Sequence, residues 1–229
     1  MKILVADTSS SVCATGVLDD DKLICENTLD NGKTHSENFM PLVKKTLEDA
    51  KLTLDDIEYM AVSVGPGSFT GIRIGIASCK AMAEVKKIKI IPVTSLEILA
   101  GNERGNCNVI CSMIDARNDQ VYCGIFNKDV NLIEEYIADD INIVLEKLKK
   151  YDEILFVGNG AVLQKDIIES VLNDKKIKFS INNKQNAVSL GIIAYQKIRN
   201  NEIITVDELM PMYLRKSQAE RMKNESENR

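Results

Sequence analysis

The sequence predicts an α/β protein of two similar lobes, each a mixed sheet flanked by helices. Three observations predict it. One order of features occurs twice in the 229-residue chain, about 108 residues apart. Each occurrence opens with three apolar runs joined by tight polar turns, the pattern of an antiparallel meander. Each then alternates helical and strand patterns, and a glycine turn opens one of the helices. A meander followed by such alternation gives a mixed sheet covered by helices.

The first half starts with Ile3-Leu4-Val5-Ala6, a buried-strand run that ends at Asp7. A small polar turn, 8–11, leads to a second strand at 12–18, and the acidic turn 19–21 leads to a third around Leu23-Ile24-Cys25-Glu26. Thr34-His35-Ser36-Glu37 reads as a capping box for a helix over about 36–50, and Pro41 inside it predicts a kink or local break. A strand at 58–64 runs into Gly65-Pro66-Gly67-Ser68, where the glycines allow close backbone approach and Ser68 caps a helix to about 85. A short strand (88–93) and a helix (94–101) close the half.

The second half repeats this order. Val109 to Ile114 ends at Asp115, and 121–126 form the next strand. Leu132-Ile133-Glu134-Glu135 read as the third. A helix at about 139–150, a strand at 153–157, the turn Gly158-Asn159-Gly160, a strand at about 177–181 and a helix at 187–199 follow. The joint falls in the glycine- and asparagine-rich 101–108. The expected division is one lobe at 1–104, a second at 105–216, and a polar tail at 217–229.

Composition narrows the function. The net charge is −5, which argues against a chain that grips nucleic acid through its overall charge. The longest apolar runs fall short of a membrane span, and the N-terminal run is too short for a signal peptide. Six scattered cysteines in mostly apolar settings read as buried reduced thiols of a cytoplasmic protein, although Cys107 and Cys111 have a spacing that could serve a metal. One histidine, His35, excludes a site needing two imidazoles from this chain.

The helix after Ser68 is apolar almost all round. At about 100° per residue, Lys80, Arg73 and Glu84 share a sector only about 40° wide. A helix lying on one sheet needs a narrower apolar stripe, so the excess is covered either within the domain or by a partner helix. In the preceding helix Phe39, Met40, Leu42, Val43 and Leu47 form an apolar arc. The partner-facing residues read from these two helices are His35, Phe39, Leu42, Val43, Ile72, Ile76, Cys79 and Met82.

The duplicated pattern resembles the ribonuclease-H-like lobes of the actin, sugar-kinase and heat-shock-chaperone superfamily. That resemblance implies an interlobe cleft with Asp7 and Asp115 at the two phosphate-and-metal turns and Gly158 and Gly160 near a nucleoside. The finer motifs are Ala6-Asp7-Thr8-Ser9, His35-Ser36-Glu37 with Pro41, the block from Gly65 to Gly75, Ile114-Asp115-Ala116-Arg117 with Val121-Tyr122, and Met212-Tyr213-Leu214-Arg215. Together they resemble the bacterial TsaB family, formerly YeaZ, over nearly the whole chain.

This second resemblance implies a subunit of the machinery that makes N6-threonylcarbamoyladenosine at position 37 of tRNAs reading codons that begin with A. It implies a TsaD-like catalytic partner and a TsaE-like ATPase, with tRNA met only through the complex and self-pairing when the partner is missing. TsaD-like proteins hold a metal with two histidines three residues apart; the matching stretch here, 92–99, has none. The turn after Asp7 lacks glycine, and Arg117 and Asn118 crowd the turn after Asp115. The chain therefore reads as a noncatalytic scaffold. No residue is assigned to catalysis or to a metal, no cofactor is bound by this chain alone, and ATP, magnesium and metal are expected on the partners. The competing expectation is an ATP-dependent phosphotransferase or ATPase using Asp7, Asp115 and the 158–160 turn.

Overall fold

Apolar residues buried on both faces drive the central strands. Strand β1 (Lys2–Asp7) is buried from Ile3 onward. It pairs antiparallel with β2 (Cys13–Asp19), which pairs antiparallel with the edge strand β3 (Lys22–Leu29). On the other side β1 runs parallel to β4 (Tyr59–Ser63), which runs parallel to β5 (Lys89–Val93). The computed structural model describes residues 1–32 and 34–215, so the expected tail at 217–229 lies outside the described residues.

The second sheet repeats the first. Strand β6 (Val109–Asp115) sits at the centre between β7 (Gln120–Asn127) and β9 (Glu153–Val157), with β8 (Ile137–Asp140) and β10 (Lys176–Phe179) at the edges. The orders β3-β2-β1-β4-β5 and β8-β7-β6-β9-β10 are the same topology.

One strand is displaced from its expected place. Leu132–Glu135 are not the third strand; Leu132 makes only an isolated bridge to Phe126, and pairing resumes at Ile137. The reason is local. Glu134 turns aside to the Lys150 ammonium and the Tyr151 hydroxyl, while Ile137, not Ile133, is buried.

Helices form five layers with the sheets. Helices α1 (His35–Asp49) and α2 (Phe69–Lys86) cover the outer face of the first sheet. Helix α1 is continuous through Pro41, so the expected local break does not occur; the ring falls in the second turn at an exposed position. The Glu37 carboxylate accepts from the Thr34 N–H, as the capping box requires. Helices α4 (Ile141–Leu148), α5 (Asn159–Leu163) and α6 (Lys165–Val171) cover the outer face of the second sheet.

The helix that ends each half crosses over. Helix α3 (Ser95–Gly101) packs on β6 and β7, and α7 (Ala187–Arg199) packs on β1, β2 and β5. They also pack on each other, joined by a largely buried Lys197–Glu97 ion pair of 2.8 Å. Ile3, Val5 and Ile91 of one sheet thus share a core with Ile110, Phe126 and Val157 of the other. The lobes are two in topology and are held by one continuous apolar interior.

No disulfide forms among the six cysteines, and five of them are buried, with Cys25 half-buried. Among the described residues no helix is long and apolar enough to cross a membrane, and no three His, Cys, Asp or Glu side chains cluster as a metal site.

Candidate functional site: a filled cleft and an open helix face

The end of β1 carries the first-lobe carboxylate. Asp7 is 1% exposed. Its Oδ1 accepts the Ser9 N–H at 2.8 Å. Burial raises its pKa above the ordinary 3.8, opposed in part by hydrogen bonds from Ser9 and Ser63. Around it Ser95 Oγ donates to Ser9 Oγ at 2.8 Å and meets Ser63 Oγ at 3.2 Å.

The turn beyond Asp7 is occupied by α2. The Ser68 N–H donates to the Ser9 carbonyl at 2.7 Å, and Thr8 Oγ1 donates to the Gly71 carbonyl at 2.8 Å. A methyl group on Gly67 would overlap the Ser9 carbonyl, and one on Gly71 would overlap that of Thr8. His35 completes the contact. Its Nε2 donates to the Ser10 carbonyl at 2.7 Å, and its Nδ1 is buried without a partner among the described residues. A magnesium–phosphate group needs an open carboxylate and free turn amides. Asp7 and the turn at 8–11 do not fit one.

The second lobe is more open, with Asp115 half-buried and Arg117, Asn118 and Asp119 exposed. The Asp115 carboxylate accepts the Arg117 N–H at 2.9 Å. Arg117, Asn118 and Asp119 follow in the left-handed region, with φ of 63°, 54° and 56°. Gly158 has φ of 105°, and a methyl there would overlap the Met113 carbonyl. A Cβ on Gly160 would sit 3.0 Å from the Asp115 nitrogen. The glycines of this turn serve the close approach of α5 to β6. Both glycine turns therefore answer to the same packing need, and that need explains their repetition.

Asp7 offers a test of this reading. The folded protein holds its proton above pH 3.8, where the unfolded chain releases it. The folded state then binds more protons in that interval, so the stability Asp7 contributes falls as pH rises through it. Asp7→Asn removes this dependence. The difference in melting temperature, variant minus wild type, is expected to rise as the pH is raised above about 4. A flat or falling difference in calorimetry contradicts the assignment.

The helix face is largely turned inward. Phe39, Leu42, Val43, Ile72, Ile76, Cys79 and Met82, expected to face a partner, are all buried in one cluster with Leu4, Val17 and Met60 of the chain's own sheet. The Cys79 thiol is pushed up to about 12 by burial alone. His35 is half-buried and engaged with the turn at 8–11. The open positions lie on the opposite side of the same helices: Met40 on α1, and Phe69, Ala77, Ala81 and Val85 on α2, with Val85 77% exposed. Beside them Met40, Val43, Leu47, Leu52, Leu54 and Met82 line an apolar groove of about 270 Å³.

Sequence reasoning missed a second cover on α2. Residues 203–214 return to the first lobe as a strap. Ile204 bridges to Ile90, Leu209 is fully buried, and the Met212 N–H donates to the Val64 carbonyl at 2.8 Å. Lys80 Nζ donates to the Asp207 carbonyl at 3.3 Å, and Tyr213 stacks on Phe69. The strap has no periodic pattern; only the motif at 212–215 marked it. It covers part of the surplus apolar face of α2 and leaves the Ala77–Ala81 side bare.

Comparisons with known proteins agree with this architecture. A family model described as TsaD, tRNA N6-adenosine threonylcarbamoyltransferase, matches residues 29–223. The Bacillus subtilis (strain 168) tRNA threonylcarbamoyladenosine biosynthesis protein TsaB is 35% identical, over 96% of this chain and 96% of its own length. The chain belongs to the TsaB family. Among solved structures, YeaZ from Pseudomonas aeruginosa matches 93% of this chain and 99% of its own with a TM-score of 0.79 at 21% identity. A more distant match, the activator of 2-hydroxyisocaproyl-CoA dehydratase from Clostridium difficile with bound ADPNP, has a TM-score of 0.53 at 10% identity over 93% of this chain and all of its own. These two likenesses show that the chain shares its two-lobed α/β fold with both proteins.

Proposed function

We propose that this chain is a noncatalytic subunit for the formation of N6-threonylcarbamoyladenosine at position 37 of tRNAs that read codons beginning with A. In this reading it stabilises a TsaD-like catalytic subunit by helix packing, and a TsaE-like ATPase joins the pair. ATP, magnesium and metal belong to the partners, tRNA is met only through the complex, and the assembly works in the cytoplasm. Without its partner the chain pairs with itself. The name of the Bacillus subtilis relative supports the pathway. The observation that carries the noncatalytic part is the filling of the Asp7 turn by α2.

Reconstitution tests it. Formation of the modified nucleoside by the TsaD-like and TsaE-like proteins, supplied with threonylcarbamoyl-adenylate and tRNA, is expected to require this chain. Full activity without it contradicts the proposal. The superfamily fold keeps the ATP-dependent enzyme as the second reading. Titration of the isolated chain with Mg-ATP in a calorimeter is expected to give no binding heat, whereas micromolar affinity would overturn the noncatalytic reading in favour of the enzyme.

A further inference from the structure

An asparagine followed by glycine is open to attack by its own chain, because glycine puts no side chain over the next nitrogen. The sequence has two such pairs, Asn31-Gly32 and Asn159-Gly160. The fold closes one and leaves the other open.

Asn159 opens α5, and its Oδ1 accepts the Asp115 N–H at 3.3 Å. Gly160 is buried against β6, where an added Cβ would lie 2.9 Å from the Ile114 carbonyl carbon. For the next nitrogen to reach Cγ, the asparagine has to leave the helical region. Here that means lifting α5 off β6.

Asn31 lies in the bend between β3 and α1, outside helix and strand, and both it and Gly32 are exposed. Gly32 sits at φ +72° with nothing within 4 Å of where a Cβ would stand. Its N–H donates to no acceptor among the described residues. The Asn31 amide is held by Asn38 of α1. Asn38 Nδ2 donates to Asn31 Oδ1 at 2.9 Å, and Asn31 Nδ2 donates to Asn38 Oδ1 at 3.3 Å. The first of these bonds falls on the oxygen where negative charge builds when a nucleophile adds to Cγ.

We propose that Asn31 is a site of spontaneous covalent modification in the folded protein, passing through a cyclic imide to aspartate and isoaspartate. The Gly32 nitrogen gives its proton to hydroxide or water and forms a bond to Asn31 Cγ. The Cγ–Nδ2 bond breaks, the nitrogen takes up a proton, and ammonia leaves. Water then opens the imide at either carbonyl. Addition at Cγ gives aspartate; addition at the backbone carbonyl gives isoaspartate, with the main chain routed through the side chain. Nothing is oxidised or reduced: one water is consumed, one ammonia is released, and the chain gains a negative charge.

The product no longer fits Asn38. A carboxylate has no N–H, so the amide oxygen of Asn38, a residue only 7% exposed, meets an oxygen whichever way its amide is turned. Helix α1 thereby loses a tie to the chain that enters it.

The test uses the full chain at mildly alkaline pH in water enriched in heavy oxygen, folded and, in parallel, unfolded in guanidinium chloride. Trypsin releases peptides 23–33 and 151–165. Mass spectrometry with electron-transfer fragmentation reads heavy-oxygen uptake and separates isoaspartate from aspartate. In the folded protein Asn31 is expected to react at least about ten times faster than Asn159, since an opening of α5 that costs only ~1.4 kcal/mol imposes that factor. In the unfolded chain the two are expected to react at similar rates. Gly32→Ala is expected to slow Asn31 about tenfold or more by crowding the attacking nitrogen. The Asn31→Asp variant is expected to melt below wild type. Equal rates at Asn31 and Asn159 in the folded protein, or an Asn31 that reacts only when unfolded, overturn the site. Asn31→Asp melting at or above wild type overturns the loosening of α1.

Discussion

Gly71→Ala is expected to destabilise the protein by about 3 kcal/mol or more. Two effects oppose each other. Gly71 lies inside α2 with ordinary helical backbone, so alanine gains about 1 kcal/mol of helix propensity. Against this, the new methyl would overlap the Thr8 carbonyl and stand 2.8 Å from His35 Cδ2. Neither neighbour yields easily, because Thr8 Oγ1 is bonded to the Gly71 carbonyl and His35 Nε2 to that of Ser10. Overlap with backbone therefore wins. Gly32→Ala is the control: φ is +72° with nothing within 4 Å, so only the conformational cost of about 1 kcal/mol remains. Urea denaturation measures both. A Gly71→Ala protein within about 0.5 kcal/mol of wild type would show that α2 does not sit on the turn at 8–11 as described.

Ala81→Arg is expected to leave the fold within about 0.5 kcal/mol of wild type and to weaken the partner complex more than about a hundredfold, roughly 3 kcal/mol. Ala81 is exposed on the bare side of α2, where the proposed partner helix comes closest. A guanidinium there props the helices apart and must be desolvated without a planned acceptor. Met82, the next residue, is buried in the core of the first lobe. Met82→Ala is expected to cost about 2–4 kcal/mol of stability with a much smaller effect on binding. Exchange of the two outcomes would place the interface on the wrong side of α2. Nucleoside analysis of tRNA from cells carrying each variant extends the comparison to function.

The contrast between Ala81 and Met82 also shows where the sequence was readable. Helical periodicity correctly marks a strong apolar arc, and the largest side chains on it, such as Ile72, Ile76 and Met82, follow the ordinary rule and face the chain's own sheet. The outward stripe is made of small residues, which a wheel scores as weakly apolar, so size and not hydrophobicity distinguishes the two sides. The repeated lobes were legible because β1 and β6, and the two glycine turns, meet the same local demands at the same spacing. The exchange of α3 and α7 between the sheets was not, since an amphipathic helix reads alike whichever sheet it covers. The third strand of the second lobe was misplaced because Leu132 and Ile133 carry a strand-like pattern, while Glu134 is drawn off by Lys150 and Tyr151, distant in sequence. The role of Asp7 was half-legible: its position at the end of β1 was expected, and its burial beneath α2 depends on the contacts of Gly67 and Gly71 with the preceding turn.

The most direct measurement is the mass in solution of this chain, by light scattering after gel filtration, with and without an equimolar TsaD-like protein. The predicted result is one species at the mass of the mixed complex, formed at the expense of any self-paired chain and absent with Ala81→Arg. Two separate peaks at the masses of the unmixed proteins would contradict the proposal that this chain is a partner subunit.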